Sequence, residues 1–240
     1  MADFQRIGIL GGMGPQATIL LMQKLLDAVQ TDDDAGHIPL IVDQNPQVPS
    51  RIKRLIEGTG EDPAPVLAEM AQRLVAGGAM ALAMPCNTAH HYAGAIRAAV
   101  TVPLLDMVDI SVDHAAGLAG PSGKVGILAS PAVRRVGLFD AALAKRGLTG
   151  VYATDEAAML AAIRQIKAEG PQPQARATLL AASAQLLSQG ARVQMIACTE
   201  FSLIAESVAP QAIRFDTLDR LVGAIIAFAT ENRGKTSAQK

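Results

Sequence analysis

The sequences IGIL at Ile7–Leu10 and VGIL at Val125–Leu128 are two closely similar apolar runs that lie 118 residues apart, and each has the pattern of a buried β-strand. Two further pairs of segments keep the same order along the chain: AMPCNT at Ala83–Thr88 with MIACTE at Met195–Glu200, and VPLLD at Val102–Asp106 with AIRFD at Ala212–Asp216. The sequence therefore predicts an internal duplication of about 110 residues, an ordinary domain size.

Eight short apolar runs predict β-strands: Arg6–Leu10, Pro39–Asp43, Ala79–Pro85, Pro103–Met107, Lys124–Ala129, Thr149–Ala153, Val193–Cys198 and Ala212–Phe215. Between most of them lie longer stretches with helical spacing of apolar residues, such as Ala17–Val29. Alternation of strands and helices favours parallel sheets with helices on both faces. We therefore expect an α/β fold of two pseudo-symmetric three-layer domains, with the active site in the cleft between them.

The duplication predicts the domain boundary near Asp106. An N-terminal α/β domain would cover residues 1–106 and a C-terminal α/β domain residues 107–216. A last helix over residues 217–230 ends the second unit in sequence, and it can pack back on the first. Gly170–Gln174 is expected to be a turn between two helices, and Gly234–Lys240 a polar, disordered tail.

Composition excludes several classes of protein. The chain has 240 residues, of which 50% are hydrophobic, and its formal charge is −1, so it is neither a disordered chain nor a typical nucleic-acid-binding protein. Two cysteines cannot form a disulfide framework. The most apolar interior stretch, Ala76–Cys86, is too short to span a membrane, and the N-terminus lacks the pattern of a signal peptide. We expect a cytoplasmic protein with reduced thiols and no membrane or nucleic-acid partner.

Each cysteine lies at the carboxyl end of one predicted strand of the duplication, Cys86 in the first half and Cys198 in the second. Sites in parallel sheets form beyond the carboxyl ends of the strands, and a thiol near a helix N-terminus is favoured as thiolate. The thiols would then flank one cleft. Two opposed thiols can invert a stereocentre, because one removes a proton from one face while the other returns a proton to the opposite face. The alternatives are two small buried side chains or one disulfide.

The motifs around the two cysteines resemble the aspartate/glutamate racemase family. The resemblance rests on Gly11–Pro15 with Thr18, on Pro85–His90 and on Ala197–Glu200, and it extends to about residue 228. It implies a racemase that needs no pyridoxal phosphate or other cofactor, with Cys86 and Cys198 as acid and base on opposite faces of Cα. It also implies a homodimer acting on a small acidic amino acid. Some broad-specificity members carry threonine in place of the first cysteine, whereas this chain keeps both.

Two cations are candidates for binding a substrate carboxylate. Arg51 follows a proline-containing loop after the second strand, and the alternative is a solvated side chain like its neighbours Lys53 and Arg54. Lys167 lies near the end of the predicted helix Glu156–Ala168, where a cation is favourable in any case. The resemblance implies that Arg51 and Lys167 together bind the side-chain carboxylate.

The remaining candidates would hold the amino-acid end of the substrate. The backbone of Gly11–Pro15, including Met13, can bind a carboxylate at the start of a helix, with Thr18 as a helper. Polar residues after the cysteines either cap helices or, by the resemblance, bind the substrate; the candidates are Asn87, Thr88, Ala89 and Thr199. Glu200 could position the ammonium group. No spacing typical of a metal site is present.

Three other thiol-dependent enzymes of the same superfamily remain as alternatives: a maleate isomerase, a hydantoin racemase and an arylmalonate decarboxylase. The two cysteines disfavour the decarboxylase, which uses one. A hydantoin racemase has no need for the cationic pair. A non-catalytic sensor of acidic amino acids would also have two similar domains around a cleft, but it needs no reactive thiols.

Overall fold

The first half of the chain forms a four-stranded parallel sheet. In the computed structural model, which describes residues 4–231, the strand order of this sheet is β2-β1-β3-β4. Its elements are, in chain order, β1 (Ile7–Gly11), α1 (Pro15–Ala28), β2 (Leu40–Gln44), α2 (Ala64–Ala76), β3 (Ala81–Ala83), α3 (Ala93–Ala99), β4 (Leu104–Leu105) and α4 (Met107–Ala119). Short 3₁₀-helices cover Asp34–Gly36 and Thr88–Tyr92, and a π-helix covers Lys53–Glu57.

The second half repeats this arrangement with the strand order β6-β5-β7-β8, again all parallel. Its elements are β5 (Lys124–Ala129), α5 (Pro131–Arg135), α6 (Asp140–Lys145), β6 (Thr149–Tyr152), α7 (Glu156–Glu169), α8 (Pro173–Ser188), β7 (Val193–Ala197), α9 (Thr199–Ser202), β8 (Ile213–Asp216) and α10 (Thr217–Thr230). A 3₁₀-helix covers Ala205–Ser207. Because each strand has its counterpart four places later, the α/β fold with two similar parallel sheets is confirmed.

All eight predicted strands are present, and two of them are shorter than expected by three residues or more. The run predicted as Ala79–Pro85 pairs only over Ala81–Ala83, because Pro85 has no N–H and the Cys86 amide turns back to the Met84 carbonyl at 2.8 Å. The run predicted as Pro103–Met107 ends at Leu105, because Asp106 caps α4 by accepting from the Val108 and Asp109 amides. The turn predicted at Gly170–Gln174 separates α7 from α8. The predicted tail Gly234–Lys240 lies outside the described residues.

Apolar side chains alternate between the two faces of each sheet, so both faces are covered by helices. In the first sheet, Leu10 and Leu82 pack under α2 and α3, whereas Ile7 and Ile9 pack under α1 and α10. In the second sheet, Leu128 faces α7 and α8, and Ile127 faces α4 and α6. These are the three layers that the alternation of elements predicts.

The helix that follows each sheet packs on the other sheet. Helix α4 follows β4, yet its Val108 and Val112 belong to the core of the second sheet. Helix α10 follows β8, yet its Leu221 and Ile225 are fully buried against the first sheet. We propose on this packing that the domains divide at Asp106 and that residues 217–230 complete the first one. No helix within residues 4–231 is long and apolar enough to cross a membrane.

Candidate active site

Both cysteines line one cavity of about 150 Å³ at the carboxyl ends of β3 and β7. The cavity takes side chains from both halves of the chain: Met13, Ser50, Arg51, Ile52, Cys86, Thr88, Ser130, Ile163, Lys167, Cys198 and Glu200. Cavities of this volume hold ligands about as large as benzene, so the space suits a small amino acid.

The two thiols are free and almost enclosed, each with 7% of its surface exposed. Cys86 follows β3 and precedes the 3₁₀-helix Thr88–Tyr92. Cys198 is the cap residue of α9, and its carbonyl accepts from the Phe201 and Ser202 amides. The structure therefore contains no disulfide between them, and it places each thiol beside the start of a short helix.

Cys198, Glu200 and Lys167 form a continuous chain of polar contacts. The Cys198 thiol donates to Oε2 of Glu200 at 3.0 Å, and Oε1 of Glu200 lies 2.6 Å from Nζ of Lys167. Burial raises the pKa of the Cys198 thiol well above its usual range, and the Glu200 carboxylate raises it further against the opposing effect of Lys167. Cys198 is consequently protonated at neutral pH in the ligand-free protein.

Lys167 is charged although the cavity partly desolvates it, and its side chain is 37% exposed. Desolvation by itself would lower the pKa of Lys167, but the Glu200 carboxylate raises the pKa above its usual value. Its position one turn after Ile163 on α7 brings the ammonium group from the second half of the chain to the cavity. The sequence also allowed a Lys167 that only interacts with the C-terminal end of its own helix. That interpretation does not account for its ion pair with Glu200.

Arg51 holds a charged guanidinium at the cavity wall. Its Nη1 donates to the carbonyls of Val48 at 3.2 Å and Pro49 at 3.0 Å, and its Nη2 donates to the Met13 carbonyl at 3.3 Å. In the part of the chain that the structure describes, 4–231, Arg51 has no carboxylate partner. Backbone contacts therefore orient the side chain while its charge stays available to an anion in the cavity.

Four predicted site residues do not line the cavity. Thr18 is fully buried and accepts from the Gly12 amide at 2.9 Å, so it braces the glycine turn after β1. Asn87 donates to the Thr217 hydroxyl at 3.0 Å. Ala89 and Thr199 are buried beside the thiols. The alternative that Asn87 caps a helix is not seen, because its side chain makes no capping hydrogen bond.

Four lining residues are absent from the sequence-based candidates. Ser50 and Ile52 flank Arg51, and Ile163 lies one helical turn before Lys167. Their positions next to predicted site residues could have indicated them. Ser130 could have been predicted from the internal duplication. The repeat places Ser130-Pro131 after β5 where the first half has Gly14-Pro15 after β1, and both prolines begin a helix. Ser130 caps α5 by accepting from the Ala132 amide at 3.3 Å.

The charges around the cavity leave an excess of one positive charge, since Arg51 and Lys167 face one carboxylate, Glu200. A ligand with two carboxylates and one ammonium group has the opposite pattern and the opposite net charge. Within residues 4–231 no three His, Cys, Asp or Glu side chains come together as ligands for a metal ion. The charges of the cavity are therefore complementary to those of a small dicarboxylic amino acid.

The sequence matches the family described as Asp/Glu/hydantoin racemase over residues 10–224. The chain belongs to this family, and it is thus an isomerase of the racemase type. This confirms the resemblance that the cysteine motifs indicate.

Individual relatives agree with the family. The chain is 25% identical over 218 residues to the broad specificity amino-acid racemase RacX of Bacillus subtilis, covering 84% of this chain and 88% of the relative. Its fold is similar to that of an aspartate racemase from Picrophilus torridus, with a TM-score of 0.83, 23% identity and coverage of 96% and 94% of the two chains. A glutamate racemase from Francisella tularensis, solved with D-glutamate, gives a TM-score of 0.66 at 17% identity, covering 96% of this chain and 83% of the other.

Proposed function

We propose that the chain is a cofactor-independent racemase that interconverts L- and D-aspartate, with glutamate as a second acidic substrate. The observation that carries the substrate class is the charge pattern of the cavity. Arg51 and Lys167 offer two cations for two carboxylates, and Glu200 offers one anion for an ammonium group. A neutral amino acid would leave one of these partly desolvated charges without a partner, which is costly.

Cys86 and Cys198 supply the two proton-transfer groups of the proposed mechanism. One cysteine, as thiolate, takes the proton from Cα, so that a C–H bond breaks and an S–H bond forms. The other cysteine, as thiol, gives its proton to the opposite face, so that its S–H bond breaks and a new C–H bond forms. The enzyme then carries its proton on the other sulfur, and the reverse reaction restores the first state.

Substrate binding has to exchange the partners of Glu200. In the ligand-free protein Glu200 accepts from Cys198 and pairs with Lys167. The ammonium group of an amino acid can replace Lys167 beside Glu200 while a substrate carboxylate takes Lys167. The ion pair of the empty site is thereby replaced by two ion pairs with the substrate, which limits the cost of desolvating the charges.

The test is proton exchange with the purified protein in D₂O without pyridoxal phosphate. L-Aspartate should exchange its α-proton and lose optical activity, and C86A and C198A should each reduce the rate by about 10²–10⁴-fold. R51A should reduce kcat/KM for aspartate by at least about 30-fold, since it removes one partner of a buried charge pair. K53A is the matched control, because Lys53 is exposed two residues away. Full racemisation by either cysteine variant excludes the two-thiol mechanism.

A broader substrate range is the second candidate, because RacX is named a broad specificity amino-acid racemase. The two proposals differ in the expected effect of R51A. Exchange of neutral amino acids at rates similar to aspartate, unchanged in R51A, would favour the broad-specificity enzyme. Binding of aspartate without exchange of the α-proton would favour a sensor.

We also propose a homodimer in the cytoplasm. The proposed mechanism needs both cysteines as free thiols, and thiols stay reduced in the cytoplasm, which supports this location. Ile19, Met22 and Leu26 are exposed side chains of α1 that line a groove of about 400 Å³ away from the thiols. Exposed apolar patches of this kind are typical of protein contacts, which supports association, and light scattering of the purified protein measures it.

A further inference from the structure

His90 is a buried histidine four residues after Cys86, and it does not line the cavity. Its Nδ1 lies 2.9 Å from the carbonyl oxygen of Cys86, and its Nε2 lies 3.2 Å from the backbone nitrogen of Met107. A carbonyl can only accept and an amide N–H can only donate. The two contacts together therefore define the neutral tautomer with the proton on Nδ1.

The surroundings of His90 favour this neutral form. Burial lowers the pKa of His90, while Asp106, Asp109 and the Cys86 carbonyl act in the opposite direction and Arg97 acts with burial. The imidazole thus joins the backbone of Cys86 to the first residue of α4. Since α4 packs on the second sheet, the contact also links the Cys86 turn to the other half of the fold.

The second half of the duplication has a serine in the equivalent place. Ser202 lies four residues after Cys198 and donates to Oδ1 of Asp216 at 3.0 Å, at the start of α10. In both halves the residue four beyond the thiol therefore binds the start of the helix that follows the sheet. The Cys198 carbonyl accepts from the backbone amides of Phe201 and Ser202, whereas the Cys86 carbonyl accepts from the side chain of His90, so the two cysteines are held differently.

We propose that His90 is a positioning residue for Cys86. Its Nδ1–H fixes the Cys86 carbonyl, and its Nε2 anchors the imidazole on the Met107 amide, so that the Cys86 side chain keeps one direction in the cavity. The effect on racemisation rests on the proposed function, whereas the effect on the chemical accessibility of Cys86 does not.

Two variants separate the two contacts of the imidazole. In H90N the side-chain amide nitrogen takes the place of Nδ1 and can donate to the Cys86 carbonyl. In H90Q the longer side chain brings its amide oxygen to the place of Nε2, where it accepts from Met107 but leaves the Cys86 carbonyl without its donor. S202A is the matched control, because it removes the equivalent contact behind Cys198.

The first readout is alkylation of each thiol by iodoacetamide without substrate, followed by peptide mass mapping. H90Q should change the rate at Cys86 by at least about threefold and leave Cys198 unchanged, whereas H90N should keep both rates close to the wild type. The second readout is racemisation of aspartate, where H90Q should lower kcat by about tenfold with KM little changed, as expected for the loss of one hydrogen bond that orients a reacting group.

Equal effects of H90N and H90Q, or equal effects at both thiols, would overturn the proposal and leave His90 as a packing residue. A further outcome is a wild-type protein that does not racemise aspartate while H90Q changes the alkylation rate at Cys86 alone. That result would support His90 as the positioning residue and contradict the proposed function. Should H90Q fail to fold, H90A with added imidazole gives the same comparison. Imidazole should restore the wild-type alkylation rate at Cys86, and no restoration would contradict the proposal.

Discussion

Glu200 contacts both a thiol and a cation, so its charge controls the chemistry of Cys198. Replacing it in E200Q removes the negative charge that raises the pKa of the Cys198 thiol and leaves the Lys167 cation unpaired. The pKa of Cys198 should fall, and a fall of one unit gives about tenfold more thiolate at a pH below both values. We therefore expect faster alkylation of Cys198 at pH 8 in E200Q, together with weaker racemisation.

The control for this prediction is E206Q, because Glu206 is an exposed carboxylate that pairs with Arg176 away from the cavity. Alkylation of Cys198 measured from pH 6 to pH 10 should give a profile displaced to lower pH in E200Q alone. An unchanged profile would mean that burial, and not Glu200, sets the pKa of this thiol.

Asp216 and Asp106 occupy equivalent caps with opposite electrostatic surroundings. Burial raises the pKa of Asp216 from its usual 3.8 to about 6. Burial acts in the same direction on Asp106, but the Arg97 guanidinium and the Val108 and Asp109 amides lower its pKa. The protonated form of Asp216 is thus favoured by folding, so its stabilising contribution is complete below about pH 4 and is lost as the pH rises through about 6. For Asp106 the contribution is present at neutral pH and is lost in acid.

The expected result is that D216N stabilises the protein at pH 7 by about 1–3 kcal/mol, because asparagine keeps the capping oxygen without the buried charge. D106N should destabilise it at the same pH, since its ion pair with Arg97 at 2.5 Å is lost. Urea unfolding at pH 4, 5.5 and 7 measures both effects: the D216N difference should shrink toward pH 4, whereas the D106N difference should largely persist there, because the lowered pKa keeps Asp106 ionised in the folded protein. The same sign for the two variants would contradict this account.

At the scale of elements, the repeated glycines of β1 and β5 show why the two apolar runs are alike. A Cβ atom at Gly8 would lie 2.9 Å from Cβ of Ala79 and 3.1 Å from Cβ of Leu74, and one at Gly126 would lie 3.0 Å from Cδ1 of Leu186. Leu74 on α2 and Leu186 on α8 occupy equivalent places of the duplication. The glycines therefore allow a helix to pack closely on the central strand of each sheet.

G8A and G126A should each destabilise the protein by about 1–3 kcal/mol, because the helix must move away from the strand. G223A in α10 is the matched control. A Cβ at Gly223 meets nothing within 4 Å, so alanine should stabilise the helix by about 0.5–1 kcal/mol. Urea unfolding of the three variants tests this contrast, and stable G8A or G126A proteins would show that the close packing is not required.

The elements themselves could be predicted from the sequence because apolar periodicity and glycine turns are local signals. Strands such as Lys124–Ala129 were predictable with their full bounds. The order of strands within each sheet was not, because pairing depends on long-range contacts that leave no local pattern. The packing of α4 on the second sheet and of α10 on the first could not be predicted either, because it also depends on long-range contacts. The apolar face of α10 indicated only that this helix packs against another part of the fold.

In the candidate site, the residues could be predicted from the sequence but the contacts between them could not. Motif positions predicted Cys86, Cys198, Arg51, Lys167 and Glu200, all of which line the cavity. Contacts between distant segments could not be predicted, such as Glu200 with Lys167 or His90 with the Met107 amide, because they depend on how the two halves face each other. Thr18 was predicted from its motif but does not line the cavity. Its hydroxyl accepts from the Gly12 amide and stabilises the glycine turn after β1.

At the scale of the whole molecule, the π-helix Lys53–Glu57 bridges the two halves close to the site. Arg135 on α5 donates to the Ile56 carbonyl at 2.6 Å, and Arg164 on α7 pairs with Glu57 at 2.9 Å. Both cations belong to the second half, whereas the π-helix follows Arg51 in the first. These contacts hold the segment that carries Arg51 against the side of the cavity that provides Lys167.

The double variant R135A/R164A should therefore weaken substrate binding far more than stability. The exposed ion pair of Arg164 and the exposed hydrogen bond of Arg135 contribute about 1 kcal/mol or less each, so the free energy of unfolding should change little. Arg51 would lose its fixed position relative to Lys167, and the KM for aspartate should rise by about 3–10-fold, because misplacing a binding group removes part of the gain from orientation.

The matched control is R134A, because Arg134 is the neighbour of Arg135 on α5 and its exposed pair with Glu156 lies entirely within the second half. It should leave the KM unchanged. Steady-state kinetics and urea unfolding of the three proteins distinguish the possibilities. A rise in KM that accompanies an equal loss of stability in both variants would mean that α5 is merely disturbed, whereas a rise confined to the double variant identifies the bridge as the link between the halves of the site.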